Sequence, residues 1–224
     1  MMQIGILAVS FGTSYTDTYE KTILTLERDM KNAYPQHAFA SAYTSDRVRA
    51  ILMRRCLQVH SIKTAIDYML SQKVSHLVVQ PTHLLMGIEY EKLCTLVKVY
   101  SREFDHVVIG KPLLSSHESI ERVISIIADE NPIDDDTALV LMGHGSEHFA
   151  NTVYPAMDYM AKAAGYPHLY VGTVEGYPTI DTVLAQLKKT SYKKLLLAPL
   201  MLVAGDHAVN DMAGDDEDSW KKTC

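Results

Sequence analysis

LVVQPTHLLMGIE, residues 77–89, and LLLAPLMLVAGDH, residues 195–207, lie over one another without a gap. The superposition matches Pro81 with Pro199, Gly87 with Gly205 and Glu89 with His207. Each stretch opens on an apolar run of buried-strand length and passes through a proline into a loop. A second pair repeats in the same way: AVSFGTS, starting at Ala8, lies over LMGHGSE, starting at Leu141, which sets Phe11 against His144 and Gly12 against Gly145. Self-similarity on this scale means that one supersecondary unit is used twice.

Working outward, apolar runs alternate with longer amphipathic segments. IGILAVS, TYEKTILTLERDM, HAFASAY, a helical stretch to Ser71 and HLVVQP are followed by EYEKLCTLVKVYSR, HVVIG and HESIERVISIIADE. TALVLMG, FANTVYPAMDYMAKA, LYVGTV, TIDTVLAQLKK and KLLLAPL complete the series. Near-continuous apolar strands separated by helices predict parallel sheets covered on both faces. The fold class is therefore α/β, built from two pseudo-repeated parallel-sheet halves with a cleft between them. The first half holds four strand-and-helix units and the second only three, so a C-terminal strand and helix are expected to be missing. The acidic, proline-bearing stretch DENPIDDD, residues 129–136, predicts the connection between an N-terminal half over residues 1–130 and a C-terminal half over 137–224.

Composition narrows the function. With 224 residues, 47% hydrophobic and 21% charged, the chain can bury a real core. A net charge of −6 without a Lys/Arg run argues against nucleic-acid and membrane-surface partners. The start, MMQIGILAVSFG, has no basic leader and reads as a strand; the longest apolar stretch, interrupted by Pro199, is well short of the ~20 residues of a spanning helix. Cys56, Cys94 and Cys224 are odd in number and lack CxxC spacing, as expected of reduced thiols in a cytoplasmic protein.

In open parallel sheets ligands bind beyond the carboxyl ends of the strands. His144 follows TALVLMG, Glu175 follows LYVGTV, His207 follows the loop after LLLAPL, and Glu89 is the repeat partner of His207. Two imidazoles and a carboxylate are a borderline donor set suited to Zn²⁺, Co²⁺, Fe²⁺ or Ni²⁺, with positions left open for a substrate. The competing reading is that each histidine is an ordinary hydrogen-bonded residue. HGSEH, residues 144–148, also matches the HxxEH of inverted zinc proteases, but that chemistry needs both histidines on one helical face, and the glycine turn after a strand works against it. His148 is expected to be an exposed first-turn residue. The turns SFGTS and GHGSE resemble anion-binding helix starts, while the absence of GxGxxG and GxxxxGK[ST] leaves nucleotide binding without support. His83 lies in the expected cleft-facing loop, where packing or substrate contact suits it better than metal ligation, and Asp206, beside His207, is a candidate to hydrogen-bond that ligand.

Several blocks in order resemble one family. VSFGTSYTDTYEK near the start, GIEYEK at 87–92, KPLLSSH at 111–117, MGHGSEH at 142–148, VEGYP at 174–178 and PLMLVAGDHAVNDMAGDDEDSWK at 199–221 are similar to the anaerobic-pathway sirohydrochlorin cobaltochelatases, class II chelatases related to protoporphyrin ferrochelatase. The resemblance implies insertion of Co²⁺ into sirohydrochlorin, or its reduced precorrin-2 form, in anaerobic cobalamin biosynthesis. It implies His144, Glu175 and His207 as metal-site residues, with His144 and Glu89 catalytic. Ser10, Phe11, Gly12, Thr13, His83, Tyr90, Leu202 and Val203 are the candidate substrate-binding residues. No cofactor is expected beyond the substrate metal, Co²⁺, with Fe²⁺ or Ni²⁺ as alternatives. The expected partners are the tetrapyrrole and the divalent ion, with a homo-oligomer as a further option. Alternatives are a ferro- or nickel-chelatase acting on a related tetrapyrrole, and a non-catalytic metal or tetrapyrrole carrier. Ile88 departs from the family, which often carries an acid there, and family members continue past the SWK block for a further strand and helix.

Overall fold

All seven residues of Thr137–Gly143 are buried, which a strand achieves only when helices cover both faces of its sheet. The computed structural model describes residues 2–205 and 207–224, and of Val209 only the backbone. It divides the chain into two units, 1–112 and 113–224.

The first unit is a four-stranded parallel sheet in the order β2-β1-β3-β4, with β1 Ile4–Ser10, β2 Ala38–Tyr43, β3 His76–Pro81 and β4 His106–Ile109. Five helices connect them: α1 Thr16–Lys21, α2 Ile23–Ala33, α3 Asp46–Arg54, α4 Ile62–Ser71 and α5 Ile88–Tyr100. Alternate strand residues Leu7, Val9, Ala40, Ala42, Leu77 and Val79 pack with Ile62, Ile66 and Met69 of α4 and Leu93 and Val97 of α5 to form its core. TYEKTILTLERDM, which reads as one helix, breaks at Thr22, where φ is −121° and ψ −80°. The Thr22 hydroxyl donates to the Thr18 carbonyl at 2.6 Å, the local competition that makes threonine a poor helix-interior residue.

The second unit contains α6 His117–Glu130, β5 Thr137–Gly143, α7 Val153–Ala163, β6 Leu169–Thr173, α8 Ile180–Leu187, β7 Lys194–Leu200 and α9 Trp220–Thr223, with a π-helical turn at His207–Met212. Its sheet has the order β6-β5-β7, all parallel. β5, β6 and β7 thus repeat β1, β2 and β3, and β4 has no counterpart among the described residues. The sheet's Ala138, Val140 and Met142 pack with Val183 and Leu187 of α8 and with Trp220 of α9. Trp220 reaches the strands because Gly172 has no side chain: a Cβ there would stand 2.9 Å from the indole.

The boundary falls earlier than the acidic stretch at 129–136 suggests. α6, placed by sequence in the N-terminal half over 1–130, packs along α7 and belongs to the second unit, so the described halves are 1–112 and 113–224 in place of 1–130 and 137–224. The reason is that α6 buries Ile120 and Ile124 on its inner face, whereas the composition of the loop after it reports only solvation. That loop is tied to β7 instead, with Lys194 at 2.8 Å from Asp134 and Lys193 at 3.0 Å from Asp136. No helix among the described residues is long and apolar enough to cross a membrane.

Candidate metal centre

In each unit the central strand ends in a turn laced to the loop after its neighbour. In the first, Thr44 N donates to Ser10 O at 2.9 Å and Ser45 N to Phe11 O at 3.2 Å. In the second, Val174 N donates to Gly143 O at 3.1 Å and Glu175 N to His144 O at 2.8 Å. The repeat therefore holds at the level of single hydrogen bonds: Phe11 stands where His144 does, and Ser45 stands where Glu175 does. Ser45 accepts from Val48 N and caps α3, so the first unit spends on a helix start the position that the second gives to a carboxylate.

Glycine permits the lacing. Gly145 has φ +86°, and a Cβ there would lie 2.6 Å from the backbone nitrogen of Gly176. Its counterpart Gly12, at φ +100°, packs on the Tyr43 ring. Gly143 is covered by Tyr154, a buried residue whose hydroxyl is pushed above its ordinary range by burial, against the opposing pull of the Gly145 and His144 backbone. Asn151 adds a latch: its Oδ1 accepts from Ser146 N at 3.0 Å, and its Nδ2 donates to Tyr177 O at 2.7 Å. Together these contacts hold the turn of His144 against the loop of Glu175.

His144, Glu175 and His207 converge, with one potential ligand atom from each lying within 4.8 Å of the others. Ligand atoms around a single ion bonded at ~2.1 Å are roughly 3–3.4 Å apart, so small side-chain rotations close the set. The His144 and His207 rings meet edge to face with centroids 4.6 Å apart, and Glu175 Oε2 lies 3.8 Å from His144 Nδ1. His144 Nδ1 is 2.8 Å from the Gly145 carbonyl, which can only accept, so Nδ1 carries the hydrogen and Nε2 the lone pair. His207 Nδ1 lies 2.5 Å from Asp211 Oδ2, which orients that ring in the same way. Asp206, proposed for this service from sequence, lies outside the described residues. Asp211 was legible only as an i,i+4 partner of His207, and that spacing carries meaning once the segment is known to be helical.

The other predicted residues take varied places. His148 is half-buried, and its Nδ1 accepts from Ala150 N at 3.1 Å, capping the short helical turn Phe149–Thr152; it is not an exposed first-turn residue. Three amides at or beside the glycine turns are satisfied internally, Ser146 N by Asn151 Oδ1, His148 N by Ser146 Oγ and Tyr15 N by Thr13 Oγ1. Ser10 and Thr13 are buried, and Ser10 Oγ accepts from the Thr82 hydroxyl at 2.8 Å, so of the SFGT turn Phe11 is the large side chain left outward. Tyr90 donates its hydroxyl to Gly110 O at 3.2 Å, and Leu202 and Val203 are half-buried in the loop after β7.

Glu89, in the first turn of α5, is held by Lys92 Nζ at 2.6 Å from Oε1 while its Oε2 is buried without a partner. Burial would raise its carboxyl, yet the Lys92 ammonium, the Thr44 hydroxyl, which is near without meeting hydrogen-bond geometry, and His83 together bring it below the usual range. His83 is pushed down by burial, opposed by Glu89, and neither ring nitrogen has a hydrogen-bond partner. The first unit thus contains an ionised carboxylate beside a neutral imidazole.

The family described as cobalt chelatase (CbiK) matches residues 4–224. The chain belongs to the cobalt chelatase (CbiK) family. This family member is 37% identical over 222 residues to the sirohydrochlorin cobaltochelatase of Salmonella typhimurium (strain LT2), covering 98% of this chain and 84% of that one. It is 32% identical over 225 residues to sirohydrochlorin cobaltochelatase CbiKC of Nitratidesulfovibrio vulgaris (strain Hildenborough), covering 99% and 79%. In fold the cobalt chelatase family member is similar to SirB from Bacillus subtilis with Fe³⁺, at a TM-score of 0.67 and 18% identity, over 96% of this chain and 80% of that structure.

Proposed function

We propose that this chain inserts Co²⁺ into sirohydrochlorin, with His144, Glu175 and His207 receiving the ion. The observation that carries the reading is the convergence of these three side chains in a chain related over nearly its full length to enzymes named for that reaction. The first task is to strip water from the ion. Two imidazole nitrogens and one carboxylate oxygen replace part of its hydration shell while leaving positions open for pyrrole nitrogens.

The second task is to take two protons from the macrocycle. While the ion is held, the His144 Nε2 lone pair is engaged; as the ion passes to the ring that lone pair is released and accepts one pyrrole proton. Glu89, which the internal repeat pairs with His207 and which Lys92 keeps ionised, is the candidate acceptor of the other. The balance is then one divalent ion in and two protons out. The donor set suits Fe²⁺ and Ni²⁺ as well, so competition for Co²⁺ is decided by supply more than by ligand type.

The test mixes the chain with sirohydrochlorin and Co²⁺ without oxygen and follows the visible spectrum of the macrocycle. Wild type should convert it and His144→Ala should lower the rate by at least ~100-fold, the lower bound for a general base. Conversion at the wild-type rate by His144→Ala would remove His144 from the mechanism.

A further inference from the structure

We propose that His76 and His106, on the sheet of the first unit, form a second binding site for a borderline divalent cation. The residues are register partners at the starts of β3 and β4. Their rings are 6.0 Å apart between centroids and inclined by 48°. Two imidazoles sharing one ion at ~2.1 Å per bond place their ring centres roughly 5 Å apart, so modest rotations complete a two-nitrogen chelate.

The spacing is set by the backbone. Ser75 O accepts from both Asp105 N at 2.8 Å and His106 N at 3.2 Å, while His76 N is bound to Gln3 O at 3.0 Å. These bonds anchor the starts of both strands, so the two Cα atoms are fixed before any ion arrives. Ser75 Oγ lies 3.0 Å from His76 Nδ1. With Nδ1 donating to the Ser75 hydroxyl, which can also accept, the Nε2 lone pair is left for the ion, the arrangement in which an imidazole nitrogen is oriented through the other.

The face is accessible. Leu77 and Val79 turn into the core, which puts His76 and His106 on the opposite side with Val78 and Val108, both more than a third exposed. Two neutral imidazoles select the borderline ions Co²⁺, Ni²⁺, Cu²⁺ and Zn²⁺ over Mg²⁺ and Ca²⁺. With only two protein ligands the remaining positions hold water, so the site exchanges its ion quickly, as a holding site would. The proposal stands independently of the chelatase activity, since it concerns residues outside the candidate metal centre.

Cu²⁺ is the probe, because it binds such donors most tightly among these ions. The full chain is titrated and the stoichiometry followed together with the electron paramagnetic resonance spectrum, whose nitrogen couplings count the imidazoles bound. His144→Ala removes a ligand of the first centre and should retain one equivalent with two-nitrogen coupling. Adding either His76→Gln or His106→Ala to that background should abolish this two-nitrogen signature, with circular dichroism checking the fold. Persistence of the two-nitrogen signal in both double variants would overturn the proposal, as would its absence from a folded His144→Ala chain.

Discussion

Asp211→Asn tests how far the metal centre depends on the group behind it. His207 Nδ1 and Asp211 Oδ2 are 2.5 Å apart, and the side chains are 26% and 41% exposed. A hydrogen bond to a charged group contributes about 1.5–3 kcal/mol when well shielded. Exposure places this one at the lower end, and Asn retains a neutral acceptor worth ~0.5–1 kcal/mol of that. The expected net loss is about 0.5–1 kcal/mol in Co²⁺ binding, or roughly two- to fivefold in affinity. Competition against a chromophoric chelator measures it directly. Initial insertion rates provide the second readout: the apparent KM for Co²⁺ should rise by the same roughly two- to fivefold while kcat at saturating metal changes little, because Asp211 acts through His207. Asp211→Glu should recover part of the loss. If Asp211→Asn bound Co²⁺ as tightly as wild type while His207→Ala did not, the orienting role would be refuted. If both substitutions left Co²⁺ affinity unchanged, His207 itself would not be a ligand.

Gly145→Ala should lower stability and insertion together, since a left-handed residue with a Cβ costs ~1–3 kcal/mol and here also meets the Gly176 backbone; a folded variant with unchanged melting temperature and unchanged rate would show that the His144 and Glu175 loops need not be laced. Lys92→Met should move the acidic limb of the kcat/KM profile to higher pH. The sign follows from Lys92 opposing burial at Glu89: without the ammonium, burial raises the carboxyl, so the ionised acceptor is lost earlier as pH falls. The same lowered carboxyl stabilises the fold above its unfolded value and loses that contribution as pH falls through the folded one. An acidic limb that does not shift would exclude Glu89 as the acceptor.

Much was written in the chain order. Near-continuous apolar runs predicted parallel strands covered on both faces, which β5 is and β3 and β4 are not, and the gapless match of 77–89 with 195–207 predicted that β3 and β7 would occupy equivalent places, as the strand orders show. The positions of His144, Glu175 and His207 at strand ends followed from the same pattern, because the direction of a parallel strand fixes which end its loop serves. Other features depended on contacts that no local pattern encodes. The boundary lies at Pro112/Leu113 because α6 buries its apolar face against α7, a partner that begins 23 residues beyond its end. Ser10 and Thr13 read as ligand-facing turn residues, yet a hydroxyl's direction is decided by whichever buried group lacks a partner, here Thr82 and the Tyr15 amide.

What the sequence determined by itself was the repeat, the strand ends and the identity of the three candidate donors, since periodicity and residue type are properties of the chain. Tertiary structure alone decided that these donors meet within 4.8 Å, that Asp211 rather than a neighbour in sequence stands behind His207, and that Gly145 lets two loops touch. The physical reason is common to all three. Ligation needs atoms a few ångströms apart from segments some thirty residues distant, and only the packing of β5, β6 and β7 sets that spacing.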